Sequence, residues 1–248
     1  MWEKNIPKRR IGTLAPLAQI EYAPYEFYRL VPPSRGVMTI YVSVGLEKFS
    51  AKDVNRVFKP VEKMCKELAQ RECDIIVQSG VPLPILIGVK AHDRLMKRIA
   101  KAGKCKVSSS VTAVAKAARH LGIKKIACAN KWSPAMNKNL GEFFARERVK
   151  MIGVSSQIMT PDQFPDLSTK GGMDLAYDLG KRAIKENPGC DGLYIGGGAW
   201  LAYPVAHLIE KKFGIPCISN QDAVLWDCLK QVKYWKPIRG ETKLLRSR

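Results

Sequence analysis

The chain has 248 residues, of which 46% are hydrophobic and 26% charged, and its 42 Lys and Arg against 22 Asp and Glu give a formal net charge of +20. This length can bury a large core in one or two domains, and the composition is typical of a globular protein. No apolar run reaches the roughly 18–20 residues that span a bilayer, and the N-terminal M-W-E-K-N-I-P-K-R-R lacks the apolar stretch of a signal peptide. We therefore expect a soluble cytoplasmic protein with no membrane partner.

The charge distribution argues against a nucleic-acid-binding protein, and the positions of the cysteines and histidines argue against a disulfide framework and a metal site. The basic residues are spread along the chain, and no nucleic-acid-binding motif accompanies them. Such a surface attracts anions, so we expect a small anionic substrate and no nucleic-acid partner. Seven scattered cysteines without a C-x-x-C pair argue against a disulfide framework, and three histidines far apart in sequence argue against a metal site. Whether the chain forms a homo-oligomer is left open.

Strands and helices are predicted to alternate along the chain. Strands are expected at 11–16, 37–44, 74–78, 104–108, 124–129, 151–155, 191–195 and 215–219. Helices are expected in a stretch capped by Ser50 that reaches Leu68, and at 88–102, 111–121 (stopped by Gly122), 134–148, 171–187, 200–213 and 221–231, whereas 17–36 should be a long connection. This alternation predicts an α/β fold with parallel sheets, in which ligands bind at the carboxyl ends of the strands.

A short pattern occurs twice. Residues 73–80 read C-D-I-I-V-Q-S-G and residues 190–197 read C-D-G-L-Y-I-G-G. Each copy has the form of a buried strand followed by a sharp turn, so the repeat predicts two pseudo-symmetric lobes whose Gly80 and Gly197 turns converge on one cleft. We expect a first lobe of residues 1–112 with 221–248, and a second lobe of residues 113–220.

Three consecutive glycines, 196–198, are expected to open a helix. Backbone N–H groups at a helix start can hold an anion, and glycine lets a ligand approach closely. The pattern is neither a Walker loop nor G-x-G-x-x-G, so nucleotide binding is not expected. We predict that Gly197, Gly198 and Ala199 bind a carboxylate; the alternative is a tight turn without a ligand.

Other candidates lie at predicted strand ends or in the long connection. Lys131 could pair with a carboxylate, or act as an acid if burial lowers its pKa; the alternative is a solvated surface lysine. Trp132 and Trp200 could wall an apolar pocket, and Gln19 could donate to a carboxylate.

Several stretches together carry a family resemblance. They are I-G-T-L-A-P, D-I-I-V-Q-S-G-V-P, V-T-A-V-A-K-A-A-R-H-L-G-I-K-K-I-A, N-K-W-S-P-A-M-N, D-G-L-Y-I-G-G-G-A-W and F-G-I-P-C-I-S-N. With them the chain, from residue 11 to about 228, resembles the aspartate/glutamate racemase superfamily, and within it the arylmalonate decarboxylase and maleate isomerase branch. The resemblance implies two α/β lobes with the active site between them and no cofactor.

The sequence departs from the family pattern at the positions of the catalytic cysteines. Racemases of the superfamily use two opposed cysteines, and the decarboxylase branch keeps the second. The resemblance places Gly80 and Gly197 at these positions, which implies that both thiols are missing. The starts of the strands, where Cys73 and Cys190 lie, are at the wrong end of the sheet to replace them.

The resemblance also bears on substrate binding. Small hydroxyl residues and a tyrosine of the decarboxylase correspond here to Val81, Pro82 and Trp132, and Pro82 has no N–H to donate. Glu21 and Tyr22 fall in the loop where the isomerase branch places substrate-binding residues, and we take both as catalytic candidates; the alternative is a surface loop.

Together these features predict a cofactor-free lyase. We expect a decarboxylase of a malonate-like or aromatic carboxylic acid that does not use the family cysteines, with Lys131 or solvent supplying the proton. The alternatives are an isomerase or a hydrolase of a small dicarboxylate at the same cleft, for which Glu21 is the candidate base, or a carboxylate-binding protein without catalysis.

Overall fold

The computed structural model describes residues 6–17 and 22–248, whose strands form two four-stranded sheets. The first sheet has the order β2-β1-β3-β4 and consists of β1 (Arg9–Leu17), β2 (Val37–Leu46), β3 (Ile75–Gln78) and β4 (Lys106–Ser109). The second has the order β6-β5-β7-β8 and consists of β5 (Lys125–Asn130), β6 (Lys150–Ser156), β7 (Gly192–Ile195) and β8 (Cys217–Ser219). All these pairings are parallel. The identical strand orders confirm the predicted α/β fold with two similar lobes.

Helices cover the sheets and connect the strands. They are α1 (Ala23–Leu30), α2 (Ala51–Phe58), α3 (Val61–Gln70), α4 (Pro82–Gly103), α5 (Ser110–His120), α6 (Pro134–Arg146), α7 (Thr169–Glu186), α8 (Tyr203–Phe213), α9 (Asn220–Gln231) and α10 (Lys243–Arg246). Within the described part of the chain, none of them is both long enough and apolar enough to cross a membrane.

Two helices cross between the lobes. Helix α5 follows the last strand of the first sheet, yet its Ala113 and Val114 belong to the same apolar cluster as Ile126 of the second sheet. Conversely, α9 follows the second sheet and places Leu225 in a cluster with Ile75 of the first. This exchange fastens the lobes together; the division into domains at residues 112 and 220 stays a prediction.

The aspartates of the repeated pattern have the same structural task in both lobes. The backbone N–H of Arg10, in β1, donates to Asp74 at 2.8 Å, and that of Lys125, in β5, donates to Asp191 at 2.8 Å. Each aspartate therefore fixes the start of the neighbouring central strand. The glycine six positions later has a positive φ in both copies, +86° at Gly80 and +118° at Gly197, which favours glycine over other residues.

The first half of the chain departs from the predicted elements at three places. The expected long connection contains α1, which starts with a proline in its first turn and buries Phe27 and Leu30. The expected continuous helix after Ser50 is interrupted at Pro60, because a proline removes a backbone donor, and becomes α2 and α3. Helix α4 begins at Pro82 instead of residue 88 and bends at Gly88, whose φ is +76°.

The prediction that the three glycines open a helix is wrong. Residues 196–202 are not helical, and α8 begins at Tyr203. The backbone N–H groups of the glycine turn therefore do not belong to a helix N-terminus, and any anion held there must be held by other donors.

Candidate active site

A cavity lies where strands of both sheets end. It holds about 40 Å³ of free space, enough for a few water molecules. Its lining comes from the ends of β1, β3, β4, β5, β7 and β8 and from α1, and consists of Pro16, Leu17, Ala23, Glu26, Phe49, Ser79, Gly80, Pro82, Ser110, Lys131, Trp132, Phe164, Gly197, Gly198, Ala199, Asn220, Gln221 and Val224. The carboxyl ends of parallel strands are the usual ligand site of such sheets, so this cavity is the candidate active site.

Lys131 is the most unusual side chain of the cavity. It follows β5 directly, is 1% exposed, and its Nζ has no hydrogen-bond partner among residues 6–17 and 22–248. The Nζ lies 3.5 Å from the centroid of the Trp200 ring and 5.1 Å from that of Phe164. The interpretation as a solvated surface lysine is therefore wrong.

Burial lowers the pKa of Lys131 well below its ordinary value. The two aromatic faces attract an ammonium and oppose this shift by about 2 kcal/mol. The loss of hydration costs several kcal/mol for a buried ion without a partner, so the lowering prevails. The neutral amine is thus populated at a much lower pH than in a surface lysine.

A buried amide network fixes the backbone beside Lys131. The Asn130 side chain accepts from the backbone N–H of Trp132 at 3.0 Å and donates to Asn137 at 2.7 Å. Asn137 and Ser156 in turn donate to the carbonyl of Trp132, at 3.1 and 2.8 Å. These hydrogen bonds restrain the backbone at the strand end, and with it the position from which the lysine side chain starts.

The Gly197 turn faces the lysine. A Cβ atom at Gly197 would lie 3.9 Å from Lys131 Nζ and 3.5 Å from Trp200 Nε1, both ordinary contact distances. The Trp200 Nε1 is also buried without a hydrogen-bond partner in the described part of the chain. Two unsatisfied donors therefore flank one glycine turn, and a buried donor without a partner is costly unless a ligand satisfies it.

The Gly80 turn is built differently. A Cβ atom at Gly80 would lie 2.5 and 2.8 Å from ring atoms of Pro16, closer than real contacts. The Gly80 N–H donates to Ser110 Oγ at 3.1 Å, and its carbonyl accepts from Gln78 Nε2 at 3.1 Å. This turn is satisfied by the protein itself and has no room for a side chain.

Some of the predicted site residues line the cavity and others do not. Those that line it are Gly80, Pro82, Lys131, Trp132, Gly197, Gly198 and Ala199. Trp200 lies against Lys131, whereas Val81 packs in the core beside Ile85. Tyr22 precedes the lining residue Ala23 in sequence, and its hydroxyl forms a hydrogen bond of 2.8 Å with Thr169 Oγ1. Gln19 and Glu21 lie outside the described residues, and the catalytic roles of Lys131, Glu21 and Tyr22 stay predictions.

Sequence reasoning missed a buried carboxylate. Glu26 lines the cavity, is 4% exposed and accepts from the backbone N–H of Tyr203 at 3.1 Å. It lies three residues after Ala23 and four before Leu30, on the buried face of α1. The spacing of three and four residues could have indicated that Glu26 is buried, but only if residues 23–30 had been predicted as a helix.

The cysteines do not contribute to this site. None of the seven, all within the described residues, lines the cavity. Cys73 and Cys190 precede β3 and β7, at the opposite end of the strands. Burial raises the pKa of every one of these thiols, that of Cys73 to about 11, so none is activated as a thiolate.

Known proteins share both the sequence pattern and the fold. A family model described as arylmalonate decarboxylase matches residues 24–245. The chain belongs to the arylmalonate decarboxylase family. It is 23% identical over 215 residues to arylmalonate decarboxylase from Bordetella bronchiseptica, covering 81% of this chain and 88% of that protein.

Two solved structures show the same fold. One is a liganded arylmalonate decarboxylase in which a glycine is replaced by cysteine and a cysteine by serine; it matches with a TM-score of 0.83 and 22% identity, over 96% of this chain and 98% of that one. The other is a cysteine-to-serine mutant of Nocardia farcinica maleate cis-trans isomerase with a covalently bound succinylcysteine intermediate; it matches with a TM-score of 0.80 and 18% identity, over 96% and 98% of the two chains. These two structures confirm the fold, and the family model confirms the predicted resemblance to arylmalonate decarboxylase.

Proposed function

We propose that the protein is a cofactor-free decarboxylase of a small carboxylic acid, malonate-like or aromatic, and that it works without a thiol. The observation that carries the proposal is the buried, unpaired amine of Lys131 in a cavity at the strand ends. Membership in a family named after a decarboxylase supports the reaction class.

The cavity has the two properties that loss of CO₂ requires. The bond electrons remain on the carbon, so the site must stabilise a carbanion or its enolate, and donors already in place do this most effectively. Lys131 Nζ and Trp200 Nε1 are such donors, because no group in the described structure uses them. Apolar walls, including Phe49 and Phe164, replace water around the carboxylate and favour its conversion into neutral CO₂.

Lys131 also takes the place of the missing acid. On the correspondence that the resemblance implies, Gly197 stands where the decarboxylase branch has its thiol. Lys131 Nζ lies 3.9 Å from the position of a Cβ at that residue, so the amine reaches the space that the thiol would fill. Burial lowers the pKa of Lys131, so its ammonium form is a stronger acid than that of a surface lysine and can give a proton to the carbon.

The bulk charge fits an acidic substrate. A net charge of +20 raises the local concentration of small anions around the protein. The cytoplasmic location and the absence of a nucleic-acid partner stay expectations from the sequence.

The test is a panel of acids. Substituted malonates, aryl-substituted malonates and β-keto acids are incubated with the full chain, and loss of CO₂ is followed by NMR of the products. We expect turnover of at least one class and a fall of about a thousandfold in Lys131→Met, the range by which a positioned acid contributes. The matched control is Lys138→Met, the same change at an exposed lysine of α6, which should leave turnover unaltered.

Two outcomes would overturn the proposal. If no acid is turned over but several raise the melting temperature, the protein is a carboxylate-binding protein. If the products are isomers of the substrates, the reaction is not a decarboxylation.

A further inference from the structure

We propose that Lys131 acts covalently, by forming an imine with a ketone carbon of the substrate, and that the acid processed here is therefore a β-keto acid. This inference rests on the proposed decarboxylase function and narrows its substrate class: a ketone takes the place of one of the two carboxylates of a malonate.

The surroundings of Lys131 are those of a nucleophilic amine and not of a structural cation. A lysine that stabilises a fold has a carboxylate partner, as Lys116 has in Asp227 at 3.4 Å. Lys131 has neither an ion pair nor a hydrogen bond within the described ranges 6–17 and 22–248, and it contacts the faces of Trp200 and Phe164. Burying it in this way costs folding free energy that a structural role does not return.

The protonation state of the amine supports the same chemistry. An amine attacks a carbonyl carbon only when it is neutral, and desolvation in an apolar pocket is a recognised means of keeping a lysine neutral. Burial lowers the pKa of Lys131. The rings of Trp200 and Phe164 lie against the nitrogen, at 3.5 and 5.1 Å from their centroids, and provide the apolar surroundings.

The approach to the amine is open on the side of the glycine turn. A side chain at position 197 would begin 3.9 Å from Nζ, in the volume that an incoming carbonyl group needs. Gly197, with no side chain, leaves that volume to the cavity that Lys131 lines. The Trp200 Nε1, 3.5 Å from the same point, is placed to donate to a substrate oxygen.

The reaction consumes one proton from solvent per turnover, and the water lost on forming the imine is regained when the imine is hydrolysed. The neutral Nζ bonds to the ketone carbon, and the resulting carbinolamine takes up a proton and loses water, leaving an iminium ion. The bond between the α-carbon and the carboxylate then breaks, CO₂ leaves, and the electron pair moves onto the iminium nitrogen to give an enamine. The enamine carbon accepts a proton from solvent, because the nitrogen of Lys131 is part of the enamine at this step. A water molecule then hydrolyses the new iminium ion and releases the ketone, the free amine and a proton.

The positive iminium nitrogen is an electron acceptor bonded to the substrate itself, in addition to the hydrogen-bond donors of the cavity. It lies two bonds from the carbon that loses CO₂ and takes up the electron pair directly. A malonate has a carboxylate in place of the ketone and cannot form this bond, so ketones and malonates should behave differently at this site.

The experiment is reductive trapping with acetoacetate as the probe. The full chain is treated with acetoacetate and borohydride together, with each alone, and with phenylmalonate and borohydride. We expect inactivation only with the first combination, and an isopropyl group on the Lys131 peptide by mass spectrometry. Lys131→Arg should give no adduct, whereas Lys138→Met should give as much as the native protein.

A second measurement follows the oxygen atom. Hydrolysis of the imine places solvent oxygen in the acetone product, so oxygen-labelled water should label it during turnover. Lys131→Arg should lower the rate of label incorporation at least about tenfold, which corresponds to roughly 1.4 kcal/mol.

The outcomes separate the two proposals. Decarboxylation of acetoacetate without an adduct or solvent label would overturn the imine and leave the decarboxylase in place. Turnover of malonates alone would do the same. Adducts spread evenly over surface lysines would also overturn the assignment to Lys131. No turnover of any acid together with no adduct would overturn both.

Discussion

The two glycine turns occupy equivalent places in the two sheets but have opposite properties. At Gly80 the backbone N–H and carbonyl are both bonded within the protein, and the Pro16 ring fills the space of a side chain. At Gly197 the space is free, and Lys131 and Trp200 face it with donors that no described residue uses. The strand order repeats between the lobes, whereas unsatisfied buried donors face one of the two turns.

This difference explains what the internal symmetry does and does not imply. The repeated aspartates anchor neighbouring strands in both lobes, so the repeat reflects a requirement of the fold. Two identical active turns would suit a reaction with opposed acid and base. One satisfied turn and one reactive turn suit a reaction with a single reacting group, as decarboxylation needs.

Replacing Lys131 should have the largest effect, because this residue distinguishes the Gly197 turn from the Gly80 turn. Besides the loss of turnover described above, we expect Lys131→Met to raise the free energy of unfolding by about 2 kcal/mol, because methionine fills the volume without an unpaired polar group. A variant that is inactive and more stable marks a residue kept for function. Urea unfolding measures the change, and a less stable variant would mean that Lys131 supports the fold.

The stability gain should depend on pH in a defined direction. The pKa of Lys131 is lower in the folded state than its ordinary value of 10.5, so the unfolded chain binds more protons between these two values. The cost in folding free energy of burying protonated Lys131 is therefore complete below the pKa of Lys131 in the folded protein, and it disappears as the pH rises towards 10.5. The advantage of Lys131→Met over the native protein should accordingly shrink in alkaline solution; a difference that does not change with pH would contradict the lowered pKa of Lys131.

A pair of alanine substitutions tests the two turns directly. Gly80→Ala combines an unfavourable positive φ with a collision against the Pro16 ring, and we expect it to lower the free energy of unfolding by about 4 kcal/mol. Gly197→Ala has the unfavourable φ without the collision, and about 2 kcal/mol is expected. Each variant is the control of the other.

The two substitutions should affect activity in the opposite order: Gly80→Ala is expected to lose more stability, and Gly197→Ala more activity. The methyl group of Gly197→Ala would stand between Lys131 and the substrate, so kcat should fall further than in the folded fraction of Gly80→Ala. Equal losses of activity per folded molecule would mean that the two turns are functionally alike.

The sequence predicted the features that depend on neighbours along the chain. The strands, the repeat and the position of Lys131 at a strand end follow from local patterns, and the structure agrees with them. Prolines were misread, because Pro24 and Pro82 begin helices that were taken for a connection and a turn. A proline in the first helical turn loses no hydrogen bond, so its presence does not exclude a helix.

The character of the site depends on residues far apart in the chain. Lys131 is buried because Trp200 and Phe164 pack over it, and no local pattern indicates that contact. The closure of the Gly80 turn likewise requires Pro16 from another strand. The positions of the two turns could thus be predicted, but the difference between them could not.

The smallest expected effect concerns the indole of Trp200. Trp200→Phe keeps an aromatic face for Lys131 but removes the unpaired Nε1, which is placed to stabilise the developing negative charge, so we expect kcat/KM to fall about tenfold, the value of one hydrogen bond to a charged group. Trp235→Phe is the matched control, because Trp235 Nε1 already donates to the carbonyl of Ser247 at 3.0 Å. It should cost about 1 kcal/mol of stability and leave kcat/KM unaltered. Steady-state kinetics on the acid that is turned over fastest measure both variants. An unchanged kcat/KM in Trp200→Phe would mean that the indole does not contribute, and would leave Lys131 as the group that distinguishes the Gly197 turn from the turn at Gly80.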